Sequence, residues 1–186
     1  MSRVLLPLFL DLAARDVLVV GGGNVASRKA EELLAAKAHV RVVAPEATDA
    51  LQTLAKEGSL TWHARPFAIA DLDAIWLVIA ATDDPDLQSR IAAACEARHV
   101  FCVAVDDPPN ASAYGAAVIR RGPVTIAIST SGEAPALARL LREVLEQVLP
   151  EDDYIEAARA LREKWNREGT PMTSRFGELV KAFKER

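Results

Sequence analysis

The sequence predicts an α/β fold with a doubly wound parallel sheet, and two observations support this expectation. Up to about residue 110, short apolar runs alternate with segments whose apolar residues recur at helical spacing. At the turn-forming stretch DDPPN, residues 106–110, the pattern changes to two short strands and a long amphipathic helix. Strands that alternate with helices form βαβ units, and right-handed crossovers then favour a doubly wound sheet.

The elements of the first half follow one another at short intervals. DVLVV is rich in β-branched residues, and Val25, Ala26, Ala30, Leu33 and Leu34 after it recur at helical spacing. Pro85 suits the first turn of a helix. The predicted strands are 16–20, 39–43, 59–63, 74–81 and 100–105, and the predicted helices are 24–37, 46–57 and 84–98.

The second half predicts a strand pair and three helices. AAVIRRGPVTIAIST indicates two strands around RRGP, and the leucines and valines from Leu137 to Val148 lie at i, i+3 and i+4 spacing. Pro135 is tolerated in the first turn of this helix, and Pro150 is expected to end it. Two charged helices follow at 151–168 and 172–184. We therefore predict three parts, residues 1–113, 114–149 and 150–186.

The composition of the chain argues against nucleic-acid-binding, membrane-spanning and secreted proteins. The chain of 186 residues carries a net charge of −4, whereas a general nucleic-acid binder usually presents a basic face. The apolar stretch VLLPLFLDL is too short to span a bilayer and contains Pro7. Cys95 and Cys102 form no CxxC pair and no secretory signal precedes them. We expect a reduced, cytoplasmic protein that binds neither nucleic acid nor membrane.

The stretch VLVVGGGNVASRKAEELL, residues 17–34, fits a dinucleotide-binding turn of the Rossmann type. Gly21, Gly23 and Ala26 match G-x-G-x-x-G/A: the first glycine permits the sharp turn, the second lets backbone approach a pyrophosphate, and the small third residue lets helix and strand pack closely. The start of the helix offers unpaired N–H groups to the phosphates. A purely structural strand–helix corner is the alternative.

Two further loops carry candidate cofactor contacts. Glu46, in VVAPEA, lies near the place where an acidic residue binds the ribose hydroxyls, which favours NAD over NADP, although Arg28 and Arg41 are nearby cations. Thr82 and Asp83 follow the fourth predicted strand, at a carboxyl end where ligands bind. Alternatively, Asp83 or Asp84 could cap the next helix by accepting hydrogen bonds from its first N–H groups.

Longer motifs give the chain a family resemblance. GGGNVASRK, LVIAATDD, VFCVAVDDP and VTIAISTSGEAPALARLLRE closely resemble the sirohaem-synthase family, in particular its precorrin-2 dehydrogenase and sirohydrochlorin ferrochelatase module. The similarity runs nearly end to end and weakens only in the helical tail. In some relatives a methyltransferase is fused to this module. This chain is too short to hold one and is expected to be the free-standing form.

The resemblance implies a reaction, a fold and a set of partners. Precorrin-2 would lose two hydrogens, with hydride passing to NAD, to give sirohydrochlorin, and some members then insert ferrous iron to make sirohaem. The family's fold is a Rossmann domain, a dimerising segment and a helical tail, which makes 114–149 the expected homodimer interface. The cofactor residues expected are Gly21, Gly23, Asn24, Val25, Pro45, Glu46, Thr82 and Asp83.

The same resemblance singles out one acidic residue for catalysis. The family's aspartate in VVDxP aligns with Asp106 of VAVDDPP, which would act as base both for dehydrogenation and for the loss of pyrrole protons. Asp107 is the rival, because adjacent carboxylates perturb each other's pKa. A simple polar turn is the structural alternative.

Candidate substrate contacts lie in the second half. Ser129, Thr130 and Ser131 precede the long helix, where hydroxyl and N–H groups could bind the carboxylates of the substrate, with N-capping as the alternative for Ser131. Arg121 is a candidate to bind a substrate carboxylate through two hydrogen bonds from its guanidinium group. His39, His63 and His99 lack metal-ligand spacing, so no resident metal is expected, and Cys95 and Cys102 are expected to fill apolar space.

Two other functions remain open at this stage. A Rossmann domain with a dimerising tail can sense NAD or NADH and regulate a partner. This hypothesis gives Asp106 no role. A different NAD-dependent oxidoreductase would need a compact pocket for a small substrate.

Overall fold

The computed structural model describes residues 4–149 and 153–184, without the side chains of residues 153 and 154. The described chain divides into two compact units between Gly115 and Ala116. The proposed boundaries near residues 113 and 150 stay predictions.

A five-stranded parallel sheet forms the centre of the first unit. Its strands are β1 (Asp16–Val20), β2 (His39–Val43), β3 (Thr61–His63), β4 (Leu77–Ala80) and β5 (Phe101–Ala104). They lie in the order β3-β2-β1-β4-β5, with every pair parallel. From β1 the chain adds β2 and then β3 on one side, and it then crosses over to place β4 on the other side of β1. The gap between the carboxyl ends of β1 and β4 is therefore the topological switch point, where such sheets bind ligands.

Both faces of the sheet are buried, which explains the continuous apolar runs in the sequence. Val17 and Val19 of β1 belong to one core cluster, and Leu18 and Val20 belong to the other. Because successive side chains of a strand point to opposite faces, this alternation divides the core into two layers.

Three helices connect these strands: α1 (Asn24–Ala35), α2 (Asp49–Lys56) and α3 (Pro85–Glu96). Helix α2 begins three residues later than the sequence predicts, because Thr48 accepts a hydrogen bond from Leu51 N and caps it. Two short 3₁₀ helices, Ile69–Leu72 and Pro108–Asn110, were not predicted.

The first 3₁₀ helix is anchored by a buried carboxylate. Asp71 accepts hydrogen bonds from Arg65 Nη1 and from the N–H of Ala68, both at 2.8 Å. Hydrogen bonding from the Arg65 guanidinium holds the pKa of the Asp71 carboxyl below its usual range, against the effect of burial. The connection between β3 and β4 is thus held by an ion pair rather than by a long helix.

The second unit contains an antiparallel strand pair and three helices, as predicted. Strands β6 (Ala117–Arg121) and β7 (Val124–Ile128) are followed by α4 (Pro135–Val148), which packs against both strands. Helices α5 (Asp153–Glu168) and α6 (Met172–Lys184) pack together. The predicted helix stop at Pro150 lies outside the described residues. None of the helices described here combines the length and apolar character needed to cross a membrane.

Candidate functional site

The three glycines after β1 have three different structural roles. Gly21 has a φ of +122°, and a Cβ there would overlap the carbonyl oxygen of Ala81 in the loop after β4. A Cβ on Gly22 would overlap the carbonyl oxygen of Glu46 in the loop after β2. At Gly23, no other heavy atom of the described chain outside the local backbone lies within 4 Å of a Cβ position. The first two glycines are therefore required by packing, whereas Gly23 leaves space that a ligand can enter.

The start of α1 faces this space with free backbone donors. Gly23 is its N-cap residue, and within the described chain no side chain caps the helix and no acidic residue lies in its first turn. Asn24 and Val25 are exposed, while Ala26 is fully buried against the core, as the motif predicts. The unpaired N–H groups and the helix dipole suit a phosphate group.

The loop after β2 is fastened to the glycine turn. The N–H of Thr48 donates to the carbonyl oxygen of Gly22 at 2.9 Å, and the hydroxyls of Ser27 and Thr48 lie 2.7 Å apart. These bonds keep Pro45 and Glu46 beside the turn with both side chains exposed. Glu46 lies beyond the end of β2, as the sequence indicates. Its backbone carbonyl group packs against Gly22 of the glycine cradle, the turn and helix start at residues 21–25. The contact between Gly22 and Glu46 was not foreseen in the sequence.

The loop after β4 closes the other side of the switch point. Asp84 caps α3 by accepting hydrogen bonds from the N–H groups of Asp86 and Leu87, at 3.0 and 3.1 Å. This confirms the prediction that an aspartate of this loop caps the helix. Thr82 Oγ1 accepts a bond of 3.3 Å from Asp84 N. Asp83 is exposed and does not cap the helix. The expected contacts of Thr82 and Asp83 with a cofactor stay predictions.

Asp106 and Asp107 differ sharply in their surroundings. Asp107 accepts a hydrogen bond of 2.6 Å from Asn110 Nδ2, and Asn110 Nδ2 also lies 3.3 Å from Ser89 Oγ on α3. Asp106 is exposed, and its carboxylate makes no hydrogen bond or ion pair with any residue of the described ranges. Its φ of +56° lies in the left-handed region, which side-chain-bearing residues seldom adopt. Asp107 stabilises the turn, whereas Asp106 is available to a ligand.

The candidate substrate residues lie apart within the second unit. Arg121 pairs with Val124 at the turn of the strand pair, whereas Ser129 to Ser131 follow the opposite end of β7. The Arg121 guanidinium donates to the carbonyl oxygen of Glu146 near the end of α4, at 2.7 Å. Arg121 therefore satisfies a helix-terminal carbonyl group, and its role towards a substrate stays a prediction.

The N-capping alternative for Ser131 is wrong. Helix α4 begins at Pro135, and its N-cap residue is Ala134. Thr130 Oγ1 accepts a hydrogen bond from Ala134 N at 3.2 Å, and Ser131 N donates to Ser129 Oγ at 3.1 Å. The hydroxyls stabilise a turn before the helix because Ser131 and Gly132 both have positive φ and keep the helix from starting earlier. Substrate binding by Ser129, Thr130 and Ser131 stays a prediction.

The two cysteines are buried side by side between α3 and β5. Cys95 and Cys102 are free thiols within the second core layer. Hydrogen bonding to Cys102, together with burial, raises the pKa of the Cys95 thiol, so it stays protonated. Among the residues that the structure describes, no cluster of three His, Cys, Asp or Glu side chains is placed to hold a metal ion.

The fold and the glycine cradle define an α/β protein with a dinucleotide-type site at its switch point. Residues 8–117 match the family model described as putative NAD(P)-binding, and the chain belongs to that family. This membership confirms the predicted Rossmann-type domain and nicotinamide dinucleotide cofactor. Residues 121–147 match a second model, the central part of sirohaem biosynthesis proteins, which supports the family resemblance found in the sequence.

Curated relatives and a solved structure agree with these matches. Over 145 residues, or 78% of this chain, identity is 46% to siroheme synthase 1 of Serratia proteamaculans and 48% to siroheme synthase of Sodalis glossinidius. The chain spans only 30% and 31% of the length of these two proteins. A structure of SirC, a precorrin-2 dehydrogenase, has a TM-score of 0.73 at 24% identity, covering 95% of this chain and 88% of that one. This likeness confirms the predicted fold across both units.

Proposed function

We propose that this chain is an NAD-dependent precorrin-2 dehydrogenase that produces sirohydrochlorin. The observation that carries the proposal is the joint presence of an open cradle at Gly23 and an unpaired, exposed carboxylate at Asp106, the residue that aligns with the family's acid. Both follow strands of one parallel sheet at their carboxyl ends, where ligands bind. The similarity to siroheme synthases supplies the substrate class, a macrocycle with many carboxylates.

The chain's own residues would bind and orient the reactants. Backbone N–H groups at Asn24 and Val25 bind the pyrophosphate, and Gly23 gives it room. Glu46 accepts hydrogen bonds from the ribose hydroxyls and repels a 2′-phosphate, which favours NAD over NADP. Among the described residues Arg41 forms no ion pair with Glu46, and its Nη1 lies 3.5 Å from the carbonyl oxygen of Asp71.

The reaction removes two hydrogens from precorrin-2 as a hydride and a proton. NAD, when bound, accepts the hydride, so the substrate is oxidised and the nicotinamide reduced. Asp106 takes the proton as general base, and the electrons left on the macrocycle form the new double bond. The exposed position of Asp106 suits a large substrate better than a small one.

We also propose that the active protein is a homodimer formed through residues 114–149. Five side chains on one face of α4 are 41–69% exposed, an unusual apolar patch that a second copy would cover. These are Leu137, Leu140, Leu141, Val144 and Val148. Two buried, free thiols are consistent with the cytoplasmic location proposed for the enzyme.

The decisive experiment incubates the purified full chain with NAD and precorrin-2. We expect NADH absorbance to rise together with formation of sirohydrochlorin, and an absence of both would eliminate the dehydrogenase. Repeating the reaction with Fe²⁺ as substrate tests iron insertion, which would appear as sirohaem. Binding of NAD without turnover would favour the NAD(H)-sensing alternative.

A further inference from the structure

Gln88 is a buried side chain on α3 that links the loops after β4 and β5. It is 7% exposed, and its Nε2 donates hydrogen bonds to the carbonyl oxygens of Thr82, at 2.7 Å, and Val105, at 3.1 Å. Since both partners can only accept, the nitrogen of the amide must face them. The two loops joined by Gln88 carry Thr82 and Asp106, on the two sides of the proposed reaction centre.

The other end of this amide is left unsatisfied. Gln88 Oε1 is buried and has no hydrogen-bond partner among the described residues. A buried acceptor without a donor destabilises a fold, whereas an apolar side chain of similar shape would not carry that cost. A glutamine at this position is therefore poorly explained by core packing, and its two donated bonds are the feature that distinguishes it from leucine or methionine.

The bond to Val105 bears directly on the conformation of Asp106. The carbonyl group of Val105 belongs to the peptide plane that precedes Asp106, and the N–H of Val105 donates to the carbonyl oxygen of Ala80 at 3.0 Å. Val105 is thus held on both sides of its backbone. Asp106, with its φ of +56°, keeps a disfavoured conformation only if its surroundings restrain it. Gln88 supplies one of these restraints.

We propose that Gln88 is a positioning residue that holds Asp106 in its left-handed conformation and fixes its carboxylate relative to the loop of Thr82. This inference rests on the proposed dehydrogenase function. Gln88 acts through the backbone carbonyl groups of Thr82 and Val105. Because misplacement by about 1 Å can reduce a rate about 100-fold, such a restraint affects turnover more strongly than binding.

The test replaces Gln88 with methionine, which keeps the unbranched shape and removes both donors. We expect kcat for precorrin-2 oxidation to fall about 10- to 100-fold, while the Kd for NAD rises by a smaller factor, because the bond to Thr82 also restrains a loop beside the cofactor site. A crystal structure of the variant should show Asp106 at a negative φ. Gln52→Met is the matched control, because Gln52 Nε2 donates to the carbonyl oxygen of Ala47 at 2.8 Å on the far side of the cradle. Its kcat at saturating NAD should stay within about twofold of the wild type.

The outcomes separate this inference from the function on which it rests. Wild-type kcat in Gln88→Met, or Asp106 unchanged at a positive φ, would overturn the positioning role. An equal fall in kcat for Gln52→Met would mark the effect as general loosening and overturn it too. If the wild type does not oxidise precorrin-2, the dehydrogenase proposal fails, and the conformation of Asp106 in the variant still decides the role of Gln88. Gln88→Leu replaces Gln88→Met in each measurement if the latter does not fold.

Discussion

Gly22 and Glu46 touch through their backbones, so that a single Cβ on Gly22 would overlap the carbonyl oxygen of Glu46. The same Cβ would lie 2.9 Å from the Cα of Ala47. This contact joins the turn after β1 to the loop after β2, and it brings the acidic residue to the side of the glycine turn. The middle glycine is therefore needed for assembly of the site, although the motif gives it no role.

Alanine substitutions at Gly22 and Gly23 should separate assembly from binding. Gly22→Ala forces the two loops apart, and we expect a loss of about 1–3 kcal/mol in the free energy of unfolding, as for other overpacked sites. Gly23→Ala places its Cβ in open space and should cost only about 0.5–1 kcal/mol, the difference between a glycine and an alanine N-cap. Urea unfolding of both variants measures these losses.

The affinities for NAD should follow a different order from the stabilities. Gly23→Ala fills the space above the start of α1, so we expect the Kd for NAD to rise at least about tenfold, or about 1.4 kcal/mol. Calorimetry on the folded protein provides the measurement. Wild-type affinity in Gly23→Ala would contradict the assignment of this space to the pyrophosphate.

Glu46 should determine the preference between the two dinucleotides. Glu46→Gln removes the charge that repels a 2′-phosphate and retains hydrogen-bonding capacity towards the ribose. We expect the ratio of the NADP Kd to the NAD Kd to fall about tenfold, the effect of about 1.4 kcal/mol of relieved repulsion. Glu57→Gln, an exposed residue after α2, is the control. An unchanged ratio in Glu46→Gln would assign the discrimination to other residues.

Substitutions at Asp106 and Asp107 test which of the two adjacent carboxylates is the proposed general base. Asparagine is the appropriate substitution at Asp106, because asparagine tolerates the left-handed φ better than alanine does. We expect Asp106→Asn to lower kcat about 10²- to 10⁴-fold with little change in NAD affinity. Asp107→Asn should remain within about fivefold of the wild type, since that carboxylate serves the turn through Asn110. The opposite ranking of the two variants would assign the chemistry to Asp107.

The sequence predicts the sheet and the glycine turn after β1 well because these features follow from local patterns. Apolar strands such as DVLVV and the glycine spacing are visible within a few residues. The contacts of Gly22 and Gln88 depend on loops that meet only after folding, and no periodicity in the sequence marks them. The bond from Arg121 to Glu146 is hidden for the same reason, since it joins residues that are 25 positions apart. Observed helix boundaries differ from the predicted ones where a capping side chain sets the first residue. Helix α2, for example, begins after Thr48 rather than at residue 46.

The ion pair between Arg65 and Asp71 gives the first unit a predictable response to acid. Because the pKa of Asp71 is lower in the folded protein than in the unfolded chain, its ionised form stabilises the fold above the unfolded pKa of about 4. This stabilisation is lost as the pH falls through the folded pKa. Arg65→Met removes the main cause of the depression, so we expect the variant to be less stable than the wild type near neutral pH, and the two stabilities to converge as the pH falls through the folded pKa of Asp71.

Thermal unfolding between about pH 3 and pH 7 measures this response. Arg98→Met is the matched control, since Arg98 approaches Asp73 at 3.8 Å on the surface, where an ion pair contributes little. We expect Arg98→Met to follow the wild-type curve, while Arg65→Met is less stable near neutral pH and its deficit relative to the wild type shrinks towards about pH 3. Superimposable curves for all three proteins would mean that the carboxylate of Asp71 is stabilised by the N–H of Ala68 rather than by the guanidinium of Arg65.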